Sequence, residues 1–346
     1  MPYRTQHAFG LDIGDRSLKA LQFHTYKRKI KLSNFAEHTL PEGIIQGGVI
    51  QKPDELAQHI KELLHAAHIR GQYVVTALPE AKTFLKLLKI PLPRTTSTQT
   101  QLLEMLAPHL PYELEEVWTD VAIIDTSETV QQVLFGAAPK HLVTLYSDAL
   151  IKAGLLPVVL TLEPLAITRA LIREQPTLGC TLIVDIGATK STLILATHQT
   201  VIATADGKSS AMSLTNNIAK ALKLENPAVE EMKYKYGMQE GSEPYRNVLN
   251  EYASTLLTQI RKVIEFSAEY ESYCPGISQI LVSGGGARLK GLPEYLTSTL
   301  KLPTRLAQPW LHVPNDAVHT INQETSLHLT TVCGLALIAL DTDHIL

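Results

Sequence analysis

The chain has 346 residues, is 45% hydrophobic and 19% charged, and carries a formal net charge of −3. That length supports two lobes with separate cores, and that hydrophobicity excludes a disordered chain. The near-balanced charge excludes a globally basic surface for nucleic acid or membrane.

From the N-terminus, residues 8–14, 18–24 and 30–39 read as three short strands, with Lys27-Arg28-Lys29 as a solvated hairpin tip. No basic-then-apolar leader precedes them. Residues 53–68 read as a helix, with Leu56, Ile60, Leu63 and Leu64 on one face and Pro53 in the first turn. Strands follow at 73–78 and 83–90. Pro91-Leu92-Pro93 and the Thr/Ser-rich stretch behind it mark a seam. A small αββαβ unit is expected next. Its first helix carries Leu102, Leu103 and Leu106 and is ended by Pro108. A hairpin at 117–125 and 130–137, a helix at 142–153 closed by Gly154 and a strand at 156–162 complete it.

Glu163-Pro164-Leu165-Ala166 opens a helix running through Ala170 and Ile172. Strands at 182–186, 192–196 and 200–204 then repeat the opening triplet. Helices are expected at 210–222 and 228–236, and a long amphipathic helix at 245–273 with Leu249, Tyr252, Leu256 and Ile260 on its apolar stripe. A strand at 277–283 enters Gly284-Gly285-Gly286, and a helix covers 292–300. An apolar terminal helix covers 325–340. Its Val332–Leu340 run is short of the roughly 20 residues that span a bilayer, so it is expected to be buried in a cytoplasmic protein. Cys180, Cys274 and Cys333 stand in no ligand spacing and read as small buried residues of a reducing compartment. The histidines show no ligand pair; His65 and His68, three apart on a helix, lack a completing ligand.

Three stretches carry the chemistry, and the first two are a repeat. Leu11-Asp12-Ile13-Gly14-Asp15-Arg16-Ser17-Leu18-Lys19 recurs in altered form as Val184-Asp185-Ile186-Gly187-Ala188-Thr189-Lys190-Ser191-Thr192-Leu193. Each is an apolar strand ending in Asp-Ile-Gly, a polar turn and a second strand. Gly14 and Gly187 let a backbone approach a phosphate, Ser17 and Thr189 add hydroxyls, and Lys19 and Lys190 add positive charge. Asp12 and Asp185 repel phosphate directly but suit Mg²⁺ held through its waters. An Asp capping a tight turn is the other reading. The third element is Ser283-Gly284-Gly285-Gly286-Ala287-Arg288, a strand entering a glycine triplet where a flat adenosine could approach.

These three elements, in this order, resemble the actin-like ATPase superfamily of actin, DnaK-type chaperones, sugar kinases, MreB and FtsA. The resemblance implies an α/β fold of two ribonuclease H-like lobes that binds ATP with Mg²⁺. The phosphate motifs would be residues 11–19 and 184–193, with Asp12 and Asp185 toward the metal. The adenosine motif would supply Gly284, Gly285, Gly286 and Arg288. Glu230 and Lys233 match a pair flanking adenine and ribose, and equally read as an ordinary exposed helix pair. Glu163 lies where relatives hold a water-orienting residue, and also where the helix dipole favours a carboxylate.

The inserted unit selects among subfamilies. The stretch Leu102 to Asp120, with His109-Leu110-Pro111-Tyr112-Glu113-Leu114-Glu115-Glu116, and the run Ala138 to Ala170, with Ala153-Gly154-Leu155 and Glu163-Pro164-Leu165-Ala166, are similar to the PilM family of type IV pilus assembly proteins. The end at Leu346, directly after the apolar helix, favours PilM over FtsA. The expected division is a first lobe of residues 1–94, 156–178 and 325–346, an FtsA/PilM-type inserted subdomain at 95–155, and a second lobe at 179–324. The resemblance implies an actin-like component of the pilus inner-membrane platform, with slow hydrolysis or none. Its partner would be the N-terminal peptide of a PilN-like membrane protein, with other platform proteins around it, and that partner would provide its only membrane contact. Self-association stays open. An FtsA-like filament, a GspL-like secretion relative and a small-molecule kinase remain the alternatives. Two positions depart from the family pattern: Asp15 puts an extra carboxylate in the first turn, and Leu103–Met105 lacks a Trp-Glu pair.

Overall fold

The computed structural model describes residues 8–91, 99–172, 179–271, 273–314 and 326–342. The chain divides into two compact units, one of Met1–Arg169, Gln199–Ala203 and Val332–Leu346, the other of Ala170–His198 and Thr204–Thr331.

The first unit opens with an antiparallel meander, β1 (Phe9–Ile13), β2 (Ser17–Tyr26) and β3 (Lys29–Thr39). Phe9, Leu11, Leu18, Leu21 and Phe23 bury its apolar side chains. Lys27 and Arg28 both take positive φ, at 48° and 62°, which makes the tight tip expected there. A short hairpin of β4 (Ile45–Gln46) and β5 (Val49–Ile50) precedes α1 (Pro53–Ala66). Pro53 starts α1, Asp54 and Glu55 complement its dipole, and Leu56, Ile60, Leu63 and Leu64 form the buried stripe.

β6 (Tyr73–Leu78) runs parallel to β1, where the Thr76 hydroxyl donates to the Leu11 carbonyl at 2.6 Å. The chain then leaves through β7 (Phe84–Pro91), α2 (Gln99–Leu106), β8 (Val117–Thr126), β9 (Val130–Pro139) and α3 (Lys140–Lys152). It returns through β10 (Leu156–Leu162) and α4 (Glu163–Leu171). The expected order of helix, hairpin, helix and strand is present. β10 pairs parallel to β6 and completes a five-stranded sheet of order β10-β6-β1-β2-β3. β7, by contrast, pairs with β9, and the inserted core gathers Leu88 and Ile90 of β7 with Leu106, Val133 and Phe135. α3 packs on α1.

In the second unit, β11 (Cys180–Ile186), β12 (Ser191–Ala196) and the latter half of β13 (Val201–Gly207) lead to α5 (Ala211–Leu222), α6 (Asn226–Lys235) and α7 (Glu243–Ser267). β14 (Ile277–Ser283), α8 (Leu292–Leu300) and β15 (Thr304–Leu306) follow. The strand order is β15-β14-β11-β12, with β11 parallel to β14 and antiparallel to β12. β11 is an interior strand, and its Leu182, Ile183, Val184 and Ile186 are fully buried.

Two expectations need correction here. α7 ends at Ser267, not near 273, and tightens into a 3₁₀ turn at Ala268–Tyr270. Cys274 lies close to Cys180, their Cα atoms 5.3 Å apart, and the two form a disulfide. The cysteines are therefore not three unpaired residues. Cys333 stays a buried free thiol.

After a turn at Leu327–Leu329, α9 (Thr330–Thr342) returns to the first unit. Val332 to Leu337 and Ala339 are buried, as an all-round apolar helix in a core must be. It lies at backbone contact with its neighbours. A Cβ on Gly334 would overlap the Ala166 carbonyl of α4, and one on Gly10 would meet the Ala336 nitrogen. No helix among the described residues is long and apolar enough to cross a membrane.

Candidate functional site

The two repeated turns close identically. Gly14 N–H donates to the Ser17 carbonyl at 3.0 Å, and Gly187 N–H donates to the Lys190 carbonyl at 2.9 Å. The flanking registers also match, with Asp12 opposite Lys19 and Asp185 opposite Thr192. The glycine N–H groups are thus used inside the turns. Donors for a phosphate must come from other positions.

In the first unit, Lys19 is buried and sits across from Asp12. Its Nζ donates to Asp12 Oδ2 at 3.2 Å and to Ser17 Oγ at 3.0 Å. Three of the expected site residues therefore form one cluster. The Asp15 carboxylate turns away from it and accepts from Gly47 N–H at 3.0 Å and Gly48 N–H at 2.9 Å in the β4–β5 turn. Gly47 and Gly48 have φ of +55° and +76°, the conformation that presents both N–H groups there. Arg16 pairs with Glu42 at 2.6 Å. The departure at Asp15 is thereby explained: the extra carboxylate is held by backbone donors.

The Tyr146 hydroxyl of α3 donates to the Gly48 carbonyl at 3.0 Å, backing the same turn. Burial raises its pKa well above the ordinary phenol range, and the charges of Glu163, Asp15 and Asp12 push the same way. Glu163 accepts weakly from Glu80 N–H at 3.4 Å. Asp12, Glu80 and Glu163 stand at or just after the carboxyl ends of β1, β6 and β10, which are parallel neighbours. Carboxyl ends of adjacent parallel strands are where α/β sheets place ligands. Buried Glu80 was missed from sequence. Its one signal was a carboxylate two residues past an apolar strand.

In the second unit, the N-terminus of α5 abuts the other turn. Ala211 and Met212 N–H donate to the Gly187 and Ala188 carbonyls, each at 3.0 Å, and Ser210 caps the helix through Ser213. Asp185 lies beside Ser283 across β11 and β14, so the glycine triplet begins next to the turn. Gly284 has φ +80°, and a Cβ on Gly284 or on Gly286 would collide with Ile186. Two of the three glycines are thus required by packing onto the second turn. A Cβ on Gly285 would meet only His328 Cβ, at an ordinary contact distance of 3.8 Å.

Glu230 and Lys233 are more than an exposed helix pair. Lys233 is buried and donates to Glu230 Oε1 at 2.9 Å and to Thr215 Oγ1 of α5 at 2.8 Å. Thr215 Oγ1 in turn meets Glu230 Oε1 at 2.5 Å. Burial raises the Glu230 pKa, but the hydrogen bonds from Thr215 and Lys233 and the charges of Lys233 and Arg288 outweigh it, leaving the value low. Arg288 of the glycine loop is therefore within electrostatic reach of α6.

The donor set suits the expected ligands. Asp12 carries a partly solvated carboxylate beside a lysine and a serine, which fits Mg²⁺ held through water. The histidines also differ from expectation: His38 and His59, distant in sequence, do meet, with Glu62 beside them.

A strand–turn–strand unit in each compact unit, with aspartates at matching register, is the architecture of an actin-like ATPase fold. The chain is similar to MreB5 of Spiroplasma citri bound to ADP, at TM-score 0.58 and 12% identity over 99% of this chain and 98% of that one. It is also similar to the ethanolamine utilization protein EutJ from Carboxydothermus hydrogenoformans, at TM-score 0.55 and 16% identity over 95% and 88%. Within this fold, a family model described as type IV pilus assembly protein PilM matches residues 10–340, and the chain belongs to that family. The solved PilM–PilN type IV pilus biogenesis complex is similar at TM-score 0.82 and 28% identity, covering 96% of this chain and 98% of that one. No curated protein matches the sequence.

Proposed function

We propose that this type IV pilus assembly protein is a nucleotide-dependent scaffold of the inner-membrane platform. It acts on the cytoplasmic face, where it binds the N-terminal cytosolic peptide of a PilN-like protein. The observation that supports this most is the family match over residues 10–340, together with the fold shared with PilM from a PilM–PilN complex. The peptide site belongs to the first unit, between its five-stranded sheet and the inserted subdomain, and the membrane is reached through the partner.

The nucleotide is ATP with Mg²⁺, and each turn is read by itself as a phosphate-binding element of its own unit. Lys19 and Lys190 neutralise phosphate charge, Ser17 and Thr189 orient phosphate oxygens, and Gly14 and Gly187 keep the turns tight. Asp12 and Asp185 hold the waters around the metal. Gly284, Gly285, Gly286 and Arg288 take the adenosine, with Glu230 and Lys233 at its ribose side. Glu163 orients a water, and Glu80 joins it. With the turns built for binding, nucleotide works as a switch of the partner-bound state, and turnover is slow.

The test is fluorescence anisotropy with the N-terminal segment of the PilN-like protein from the same cell, titrated with and without Mg-ATP. One-to-one saturable binding, changed by Mg-ATP, is expected. Absence of binding in both conditions overturns the reading.

A further inference from the structure

A second cluster of chemistry lies on the first unit, where α1 meets β3. His38 sits on β3, and His59 and Glu62 lie three apart on α1, so they share one helix face. His38 Nε2 is 2.9 Å from His59 Nδ1. Glu62 Oε2 is 3.5 Å from His59 Nδ1 and 3.9 Å from His38 Nε2. The rings are tilted at 42° with centroids 5.0 Å apart, so they meet by their nitrogen edges, not their faces. The other Glu62 oxygen accepts from Gln58 Nε2 at 3.0 Å, which fixes the carboxylate's direction. Among the described residues this is the one group of three such side chains whose ligand atoms converge within 4.8 Å.

A hydrogen bond accounts for the contact between the two imidazoles. It does not account for Glu62 Oε2, which faces both ring nitrogens from distances at or beyond the hydrogen-bond limit. A shared cation accounts for all three. Tetrahedral zinc, with bonds of about 2.0–2.1 Å, sets its ligand atoms about 3.3 Å apart. The observed 2.9, 3.5 and 3.9 Å bracket that spacing, so shifts of a few tenths of an ångström admit the ion. Two imidazoles and one carboxylate suit zinc, not the all-oxygen preference of magnesium or calcium. The side chains are 31%, 22% and 47% exposed for His38, His59 and Glu62, so an ion can enter and water can fill a fourth position.

We propose that His38, His59 and Glu62 form a zinc-type divalent metal site that fastens α1 to β3, separate from the nucleotide residues. In it, His38 binds through Nε2 and His59 through Nδ1, both neutral, and Gln58 acts as the outer partner of Glu62.

The test uses the untagged full chain, stripped with chelator and free of nucleotide, at pH 7.5. Zn²⁺ is titrated calorimetrically, and Co²⁺ is followed by its visible spectrum. One equivalent should bind, with the strong visible bands of a tetrahedral cobalt site and a raised melting temperature. His38→Ala and His59→Ala should lose the bands, and Glu62→Gln should weaken binding at least about tenfold. The paired change His65→Ala and His68→Ala should alter nothing. Circular dichroism shows each variant folded, and the wild-type spectrum is informative without any variant. No binding to the wild type overturns the proposal, as does an equivalent of metal that survives in folded His59→Ala.

Discussion

Replacing Asp12 by alanine tests whether the first turn is a coupled charge cluster. In the wild type, Lys19 Nζ lies 3.2 Å from Asp12 Oδ2, with the two side chains only 10% and 16% exposed. Removing one partner of a fully buried pair costs about 3–5 kcal/mol, because the other charge is left without compensation. Residual exposure and the retained bond to Ser17 Oγ reduce that here to about 2–4 kcal/mol. Asp12→Ala should therefore lower the urea midpoint of the first unit by about 1 M or more, taking a slope of about 1–3 kcal/mol per molar. Lys19→Met should also destabilise, leaving a carboxylate instead. The double variant leaves neither charge orphaned. It should be more stable than the sum of the single losses by about 1–3 kcal/mol. Urea denaturation of the four proteins closes the cycle. Single losses that add to within about 0.5 kcal/mol in the double variant would refute the coupling.

Two further outcomes follow from the geometry. The Glu230 pKa in the folded chain is held below its ordinary 4.5, so its ionised form stabilises the fold fully above pH 4.5. That contribution is lost as pH falls through the lower folded value. Wild type should exceed Glu230→Gln in stability at pH 7, with the difference shrinking below pH 4.5; a difference that does not shrink below pH 4.5 contradicts it. Gly334→Ala should destabilise by about 1 kcal/mol or more, although alanine is favoured over glycine by about 1 kcal/mol in a helix interior, because its Cβ overlaps the Ala166 carbonyl. A stabilised variant in urea denaturation would show that α9 is free to shift.

The features legible in the sequence are those closed by local bonds. Each Asp-Ile-Gly turn is sealed by a hydrogen bond three residues on, so its signature is contiguous. α1 announced itself through one apolar stripe and a starting proline. The glycine triplet was visible, but its reason was not: Gly284 and Gly286 press on Ile186, about a hundred residues earlier in the chain. Asp15 looked unfavourable because its partners, Gly47 and Gly48, lie on a separate hairpin. Cys180 and Cys274 are 94 residues apart and meet only because β11 and β14 are parallel neighbours. His38 and His59 come together because a strand and a helix pack, which no spacing along the chain encodes. Long-range pairing is what hid β7 too: its apolar run reads as a strand, while its choice of β9 as partner depends on the fold.

The most direct test of the account is calorimetric titration of the full chain with ATP, in the presence and absence of Mg²⁺. One bound equivalent that requires Mg²⁺ is expected, with affinity reduced at least about tenfold in Asp12→Asn and in Asp185→Asn, since each substitution keeps the side chain's shape but removes its charge. No saturable binding, or binding unchanged in both variants, would contradict the assignment of the repeated turns as the nucleotide site.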